Sequence, residues 1–166
     1  MERDEVDRLV EAWSRERPDL DVAPLEVLSR VSRLARHLDL ARRTAFAAHG
    51  LEPWEFDVLA SLRRSGEPYA LSPGQLVAQT LVSSGTMTNR VDRLAARGLV
   101  ERRPDPTDGR GVRVHLTTDG AHVVDAALTD LLRQEEGILA ALPAHRRQEL
   151  GDLLRALVLP FEAPRE

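Results

Sequence analysis

Apolar positions recur at steps of three and four along most of the chain, a spacing that predicts helices. Val6, Leu9, Val10 and Trp13 mark a short amphipathic helix that breaks at "RPDLDVAP". Pro24, suited to a first helical position, opens a long run carrying Leu25, Leu28, Val31, Leu34, Leu38 and Phe46. Gly50 is placed to cap its end. "EPWEFDVLASLRRSG" reads as a third helix between Pro53 and Gly66, and "SPGQLVAQT" as a fourth. There Ser72 and Gln75 have capping-box spacing with Pro73 at the first helical position. After "LVSS" comes "SSGTMTNRVDRLAARGLV", residues 83–100, a fifth helix that stops at Gly98. "LVERR" and "VRVHLT" then read as strands, the second turning Val112, Val114 and Leu116 inward and Arg113 and His115 outward. The loop between them, "PDPTDGRG", has hairpin character. From Thr117 or Thr118 a long helix carries Val124, Leu128, Leu131, Glu135, Ile138 and Leu142 at the spacing of a helix–helix seam. A last helix after Pro143 carries Leu150, Leu153, Leu154, Leu157 and Phe161.

Helix, helix, turn, helix, then two strands around a basic loop is the order of a winged helix-turn-helix in a mainly α chain. Projecting the fifth helix at about 100° per residue gathers Met87, Val91, Leu94 and Gly98 into one stripe. Thr86, Asn89 and Arg93 lie opposite it, and Ser84 stands at the same N-terminal end. Hydroxyl, amide and guanidinium groups in that position suit base edges in a major groove, and the helix's free amides suit a phosphate. In the loop, Arg110 at a hairpin tip suits a minor groove, with Asp108 to orient it. Both are also ordinary turn residues.

Charge sharpens this picture. The 166 residues carry a formal net charge of −4, with arginine as the only basic type besides five histidines. Residues 83–115 nevertheless hold seven arginines against four acids. A basic stretch on an acidic body fits a selective reader of DNA. There is no cysteine, and the histidines lack metal-ligand spacing, so neither thiol chemistry nor a metal or other cofactor is expected. With no nucleophile, metal cluster or glycine-rich phosphate loop, an enzyme is not expected either. No apolar run reaches the ~20 residues of a membrane span. The acidic start "MERDEVDRLV" lacks the features of a signal peptide, so a cytoplasmic location is expected.

"LVSSGTMTNRVDRLAARGLVERRPDPTDGRGVRVHLT" resembles the winged helix of the MarR family of transcriptional regulators. The long flanking helices match that family's dimerisation region, so the resemblance covers nearly the whole chain. Gly109 departs from the arginine that many members carry there. The resemblance implies a homodimer that sets two winged helices into a pseudo-palindromic double-stranded operator, repression being the family default. It divides the chain into N-terminal helices for pocket and scaffold (1–52), a DNA-binding winged helix (53–117) and C-terminal dimerisation helices (118–166).

Arg90 projects to the border of the apolar stripe, toward the body, where an arginine needs an acceptor. Asp57 in "WEFDVLASLRR" is the candidate, and Arg64 lies two turns further along the same face. Asp57 could hold Arg90 as a structural pair. Alternatively, the set could bind a ligand, for the urate-responsive branch of the MarR family is similar at four positions. Trp13, Asp57, Arg64 and Arg90 stand where that branch has its tryptophan, aspartate and two arginines. That resemblance implies a small anionic aromatic ligand such as urate, which releases the operator. A phenolic or polycarboxylate ligand, or a winged helix used for protein contact, are the competing expectations.

Overall fold

The computed structural model describes residues 2–106, 108 and 111–162, which form seven helices and a three-stranded sheet. The first helix, α1 (Glu5–Glu16), starts on an acidic capping box. Asp4 accepts from the Val6 and Asp7 amides, and Asp7 accepts from the Asp4 amide. A long strut, α2 (Ala23–Ala47), follows with Pro24 in its first turn, one residue later than expected. Only Ala45 and Phe46 of this strut are buried, and Phe46 stacks on Phe56 of α3 (Pro53–Arg64) with ring centroids 4.0 Å apart.

More of the core comes from α3 than from any other element, through Phe56, Val58, Leu59, Ala60 and Leu62. Next come α4 (Pro73–Thr80), with the expected Ser72–Gln75 box, and α5 (Ser84–Ala96). Leu81 makes the turn between them in the left-handed region, φ 53°. A strand unseen in the sequence, β1 (Ala70–Leu71), joins β2 (Val100–Pro104) and β3 (Val112–Leu116) in the order β1-β3-β2, antiparallel throughout. Two residues carry too little periodicity to read; they pair with His115 and Val114 of β3, and just before them Tyr69, at φ 54°, accepts the Leu116 amide at its carbonyl.

The expected alternation of β3 needs two corrections. Val114 and Leu116 are buried, but Val112 is 41% exposed. Val112 lies beyond the end of β1, where the hairpin leaves the core. Arg113 is half-buried rather than outward, with its guanidinium donating to the Ala70 carbonyl at 3.2 Å.

The helix α6 (Thr118–Leu139) starts on Thr117, which accepts from the Gly120 amide and donates to the Gly98 carbonyl. Its first turn presses on the sheet. A Cβ at Gly120 would sit 2.1 Å from the Leu99 carbonyl oxygen, so only glycine fits there. The expected seam of α6 splits by face: Val124, Ala127 and Leu131 enter the core, while Leu128 stays 41% exposed and Leu142 falls beyond the helix. The last helix, α7 (Ala144–Glu162), buries no residue at all. Among the described residues, no helix is long and apolar enough to cross a membrane.

Candidate DNA-reading face and ligand cleft

On α5 the projected stripe is the one that packs. Met87, Val91 and Leu94 are buried, and Ser84, Thr86, Asn89 and Arg93 are exposed on the other side. Ser83 caps the helix by accepting from the Thr86 amide at 3.2 Å, which leaves the first turn open to solvent. At the far end Arg97 ties the helix down. It donates to the Glu55 carboxylate at 2.6 Å and to the Gly50 carbonyl at 3.0 Å.

The two arginines of α5 do not part company as their projection implies. The Arg90 and Arg93 guanidiniums lie 5.3 and 4.8 Å from the ring centroid of Trp54, within cation–π range. Asp57 is not the acceptor of Arg90, for Arg42 of α2 reaches it at 3.1 Å. Packing explains the difference: α5 carries Arg90 to the start of α3, where Trp54 is the second residue, and Asp57 faces the strut instead. Trp54 stands four residues before buried Val58, an ordinary helical spacing that gives no sign of its contacts.

Trp54, Gly85, Thr86, Asn89, Arg90 and Arg93 line a cleft of about 490 Å³ on this face. At the wing, Asp105 donates its amide to the Gly111 carbonyl, and Gly111 donates to the Asp108 carbonyl. Asp108 is exposed. Arg110, expected at the hairpin tip, and Gly109 lie outside the described residues.

A second cleft, of about 230 Å³, opens between α3 and the end of α4. Asp57, Ser61, Arg64, Gln79, Thr80 and Leu81 line it. The Ser61 hydroxyl donates to the Asp57 carbonyl at 2.8 Å, and an Arg64 nitrogen stands 3.5 Å from the same hydroxyl. Carboxylate, guanidinium, hydroxyl and amide groups thus border one small polar space. Of the four residues expected to bind a ligand, the fold brings Asp57 and Arg64 together. It places Arg90 in the other cleft. Trp13, 49% exposed on α1, lines neither.

A model described as MarR family matches residues 49–111, which run from the turn before α3 to the base of β3. The transcriptional regulator PecS of Dickeya dadantii is 37% identical over 150 residues, covering 90% of both chains. The chain belongs to the MarR family. It is a MarR-family transcriptional regulator with the winged helix-turn-helix fold of that family. Among solved MarR-family structures, a mutant MarR from E. coli complexed with operator DNA matches with a TM-score of 0.67 and 27% identity, over 84% of this chain and 99% of that one. BpsR of Bordetella bronchiseptica, whose DNA binding is regulated by 6-hydroxynicotinic acid, matches with a TM-score of 0.58 and 28% identity, over 77% and 98%.

Proposed function

We propose that this MarR-family regulator is a homodimeric repressor that reads a pseudo-palindromic operator and leaves it when a small anionic aromatic ligand such as urate binds. The carrying observation is the reading face of α5, where a buried Met87–Val91–Leu94 underside directs Thr86, Asn89 and Arg93 into solvent. Ser84 joins them at the helix N-terminus, and Asp108 and Arg110 serve as the wing's contacts to the duplex. Amide and guanidinium groups on such a row make bidentate contacts with adenine and guanine edges.

The ligand reading is supported by the Asp57–Arg64 cleft. An anion held by Arg64 repels the Asp57 carboxylate or draws Arg42 away from it. Since α3 bears Asp57, Arg64 and Trp54, a shift of this helix reaches the arginines of α5. Arg90 then acts at the receiving end of the signal, and Trp13 on α1 is the candidate to cover the ligand's ring. A ligand acts here only by binding the two states of the protein differently. A coupling of about 1–3 kcal/mol corresponds to roughly 5- to 150-fold weaker operator binding.

The test is a DNA-binding titration on the protein's own upstream region, with urate and, separately, salicylate at rising concentration. Release by urate where salicylate does nothing supports the purine-like ligand. Tight binding indifferent to urate retains the DNA reader and removes urate. Repeating the titration at several salt concentrations settles the class of partner, because duplex binding falls steeply with salt and a protein-docking module's does not.

A further inference from the structure

The observation that the reading helix does not by itself explain is Trp54. An indole in the first turn of α3 has both α5 arginines against it, with guanidinium carbons 5.3 and 4.8 Å from the ring centroid. The ring is itself held. Its Nε1–H donates to the Glu52 carboxylate, and a Glu52 oxygen lies 3.9 Å from an Arg93 nitrogen. Arg93 and Glu52 are both more than half exposed, so their weak ion pair is one that a phosphate can replace. The ring contacts are different in kind, because a guanidinium held over a ring by cation–π attraction spends no N–H on an acceptor oxygen there.

We infer that Trp54 is a positioning residue for operator recognition: its ring holds Arg90 and Arg93 in place so that their edges meet the duplex already ordered. The inference rests on the DNA-reading function proposed above. Its physical basis is preorganisation. A free arginine loses considerable rotamer freedom on binding, and a side chain ordered beforehand loses less. The gain falls on operator contacts that need a defined geometry. Loose contacts to phosphates need only the charge, which Trp54 does not supply. Trp54 therefore governs specificity more than total affinity.

The experiment compares wild-type protein with Trp54→Phe and Trp54→Leu on the operator and on a scrambled duplex, across a range of salt. Each variant is first matched to wild type in mass and melting temperature. Phenylalanine keeps a π face for the arginines, and leucine keeps only apolar bulk. For Trp54→Leu the operator-to-scrambled affinity ratio is expected to fall about 5- to 30-fold, the equivalent of two exposed cation–π contacts. Binding to the scrambled duplex and its salt slope should stay as in wild type, and Trp54→Phe should restore most of the ratio. An unchanged ratio overturns the inference. So does a Phe variant as impaired as the Leu variant, or a Leu variant that binds the operator more tightly, which would mean that the ring withholds the arginines. Should Trp54→Leu fail to fold, Trp54→Met makes the same comparison with a more adaptable side chain. Wild-type protein that binds no duplex overturns the DNA reader itself, a failure visible before any variant is made.

Discussion

Glu55 is the residue on which the seating of α5 turns. Its side chain is only 4% exposed, yet it carries a carboxylate that accepts from Arg97 and from the Glu52 amide. A buried charge with its partner removed is costly, so Arg97→Ala should destabilise the fold through Glu55 rather than through the lost surface of Arg97. Arg97 remains 40% exposed, so the cost is expected at about 2 kcal/mol, below the roughly 3–5 of a fully buried pair. Chemical denaturation of the variant checks this, and replacing Glu55 by Gln in the same chain should recover part of the loss. At this scale the sequence was a partial guide. Periodicity identified Met87, Val91 and Leu94 as the underside of α5, but it offered Asp57 as the acceptor of Arg90 and missed Trp54. The angle around a helix says which way a side chain leaves the axis, and not which neighbour waits there.

Polar side-chain contacts tie the elements to one another. Arg63 of α3 grips Asp125 of α6 with paired bonds of 3.0 and 3.1 Å, and His49 meets Asp130 of α6 at 2.8 Å. Arg30 of α2 clasps the N-terminus of α1, donating to Asp4 at 2.8 and 3.0 Å and to Asp7 at 2.6 Å. The Arg30 bond is the main cause that lowers the Asp4 carboxyl to about 2, assisted by the Asp7 amide. A lowered carboxyl contributes stability that is complete above its ordinary value of 3.8 and lost as pH falls through about 2. The protection of the α1 amides, taken against the intrinsic exchange rate at each pH, should therefore fall across that window in wild type. In Arg30→Ala the amides should exchange faster at neutral pH and change less across the same window, while α3–α6 stay protected. Equal protection of α1 in both proteins would show that Val6 burial alone docks this helix. The helix boundaries themselves were legible because caps and breakers are local. Ser72, Thr117, Gly50 and Gly66 stand at the ends they were read to mark. The strand β1 was not, since Ala70–Leu71 is extended only by pairing with β3.

At the scale of the molecule, large apolar side chains stand exposed along both α2 and α7. Leu153 and Leu157 of α7 are exposed, as are Val27, Val31 and Leu34 of α2. These five line one groove of about 720 Å³. Large contiguous apolar patches of this kind mark association surfaces. For the homodimer proposed above, Leu153→Glu combined with Leu157→Glu should yield a folded monomer in analytical ultracentrifugation. Its operator affinity should fall by about 100-fold or more, the avidity lost with the second winged helix. A variant that keeps the wild-type mass would place the dimer contact elsewhere.

Sequence alone determined what depends on near neighbours and on pattern. It yielded the helices, some of their caps, the winged-helix order and the exposed row Thr86–Asn89–Arg93, since three- and four-residue spacing and capping chemistry act within a few turns. It also placed Asp57 and Arg64 on one face, because both sit on one rigid helix. Tertiary structure decided every pairing between elements. It sent Arg42 to Asp57, set Arg90 and Arg93 on Trp54, added β1 to the sheet, and left Val112 exposed. Such pairings depend on where helices cross and how far they slide. Those are properties of the packed core as a whole, and no local stretch of the chain contains them.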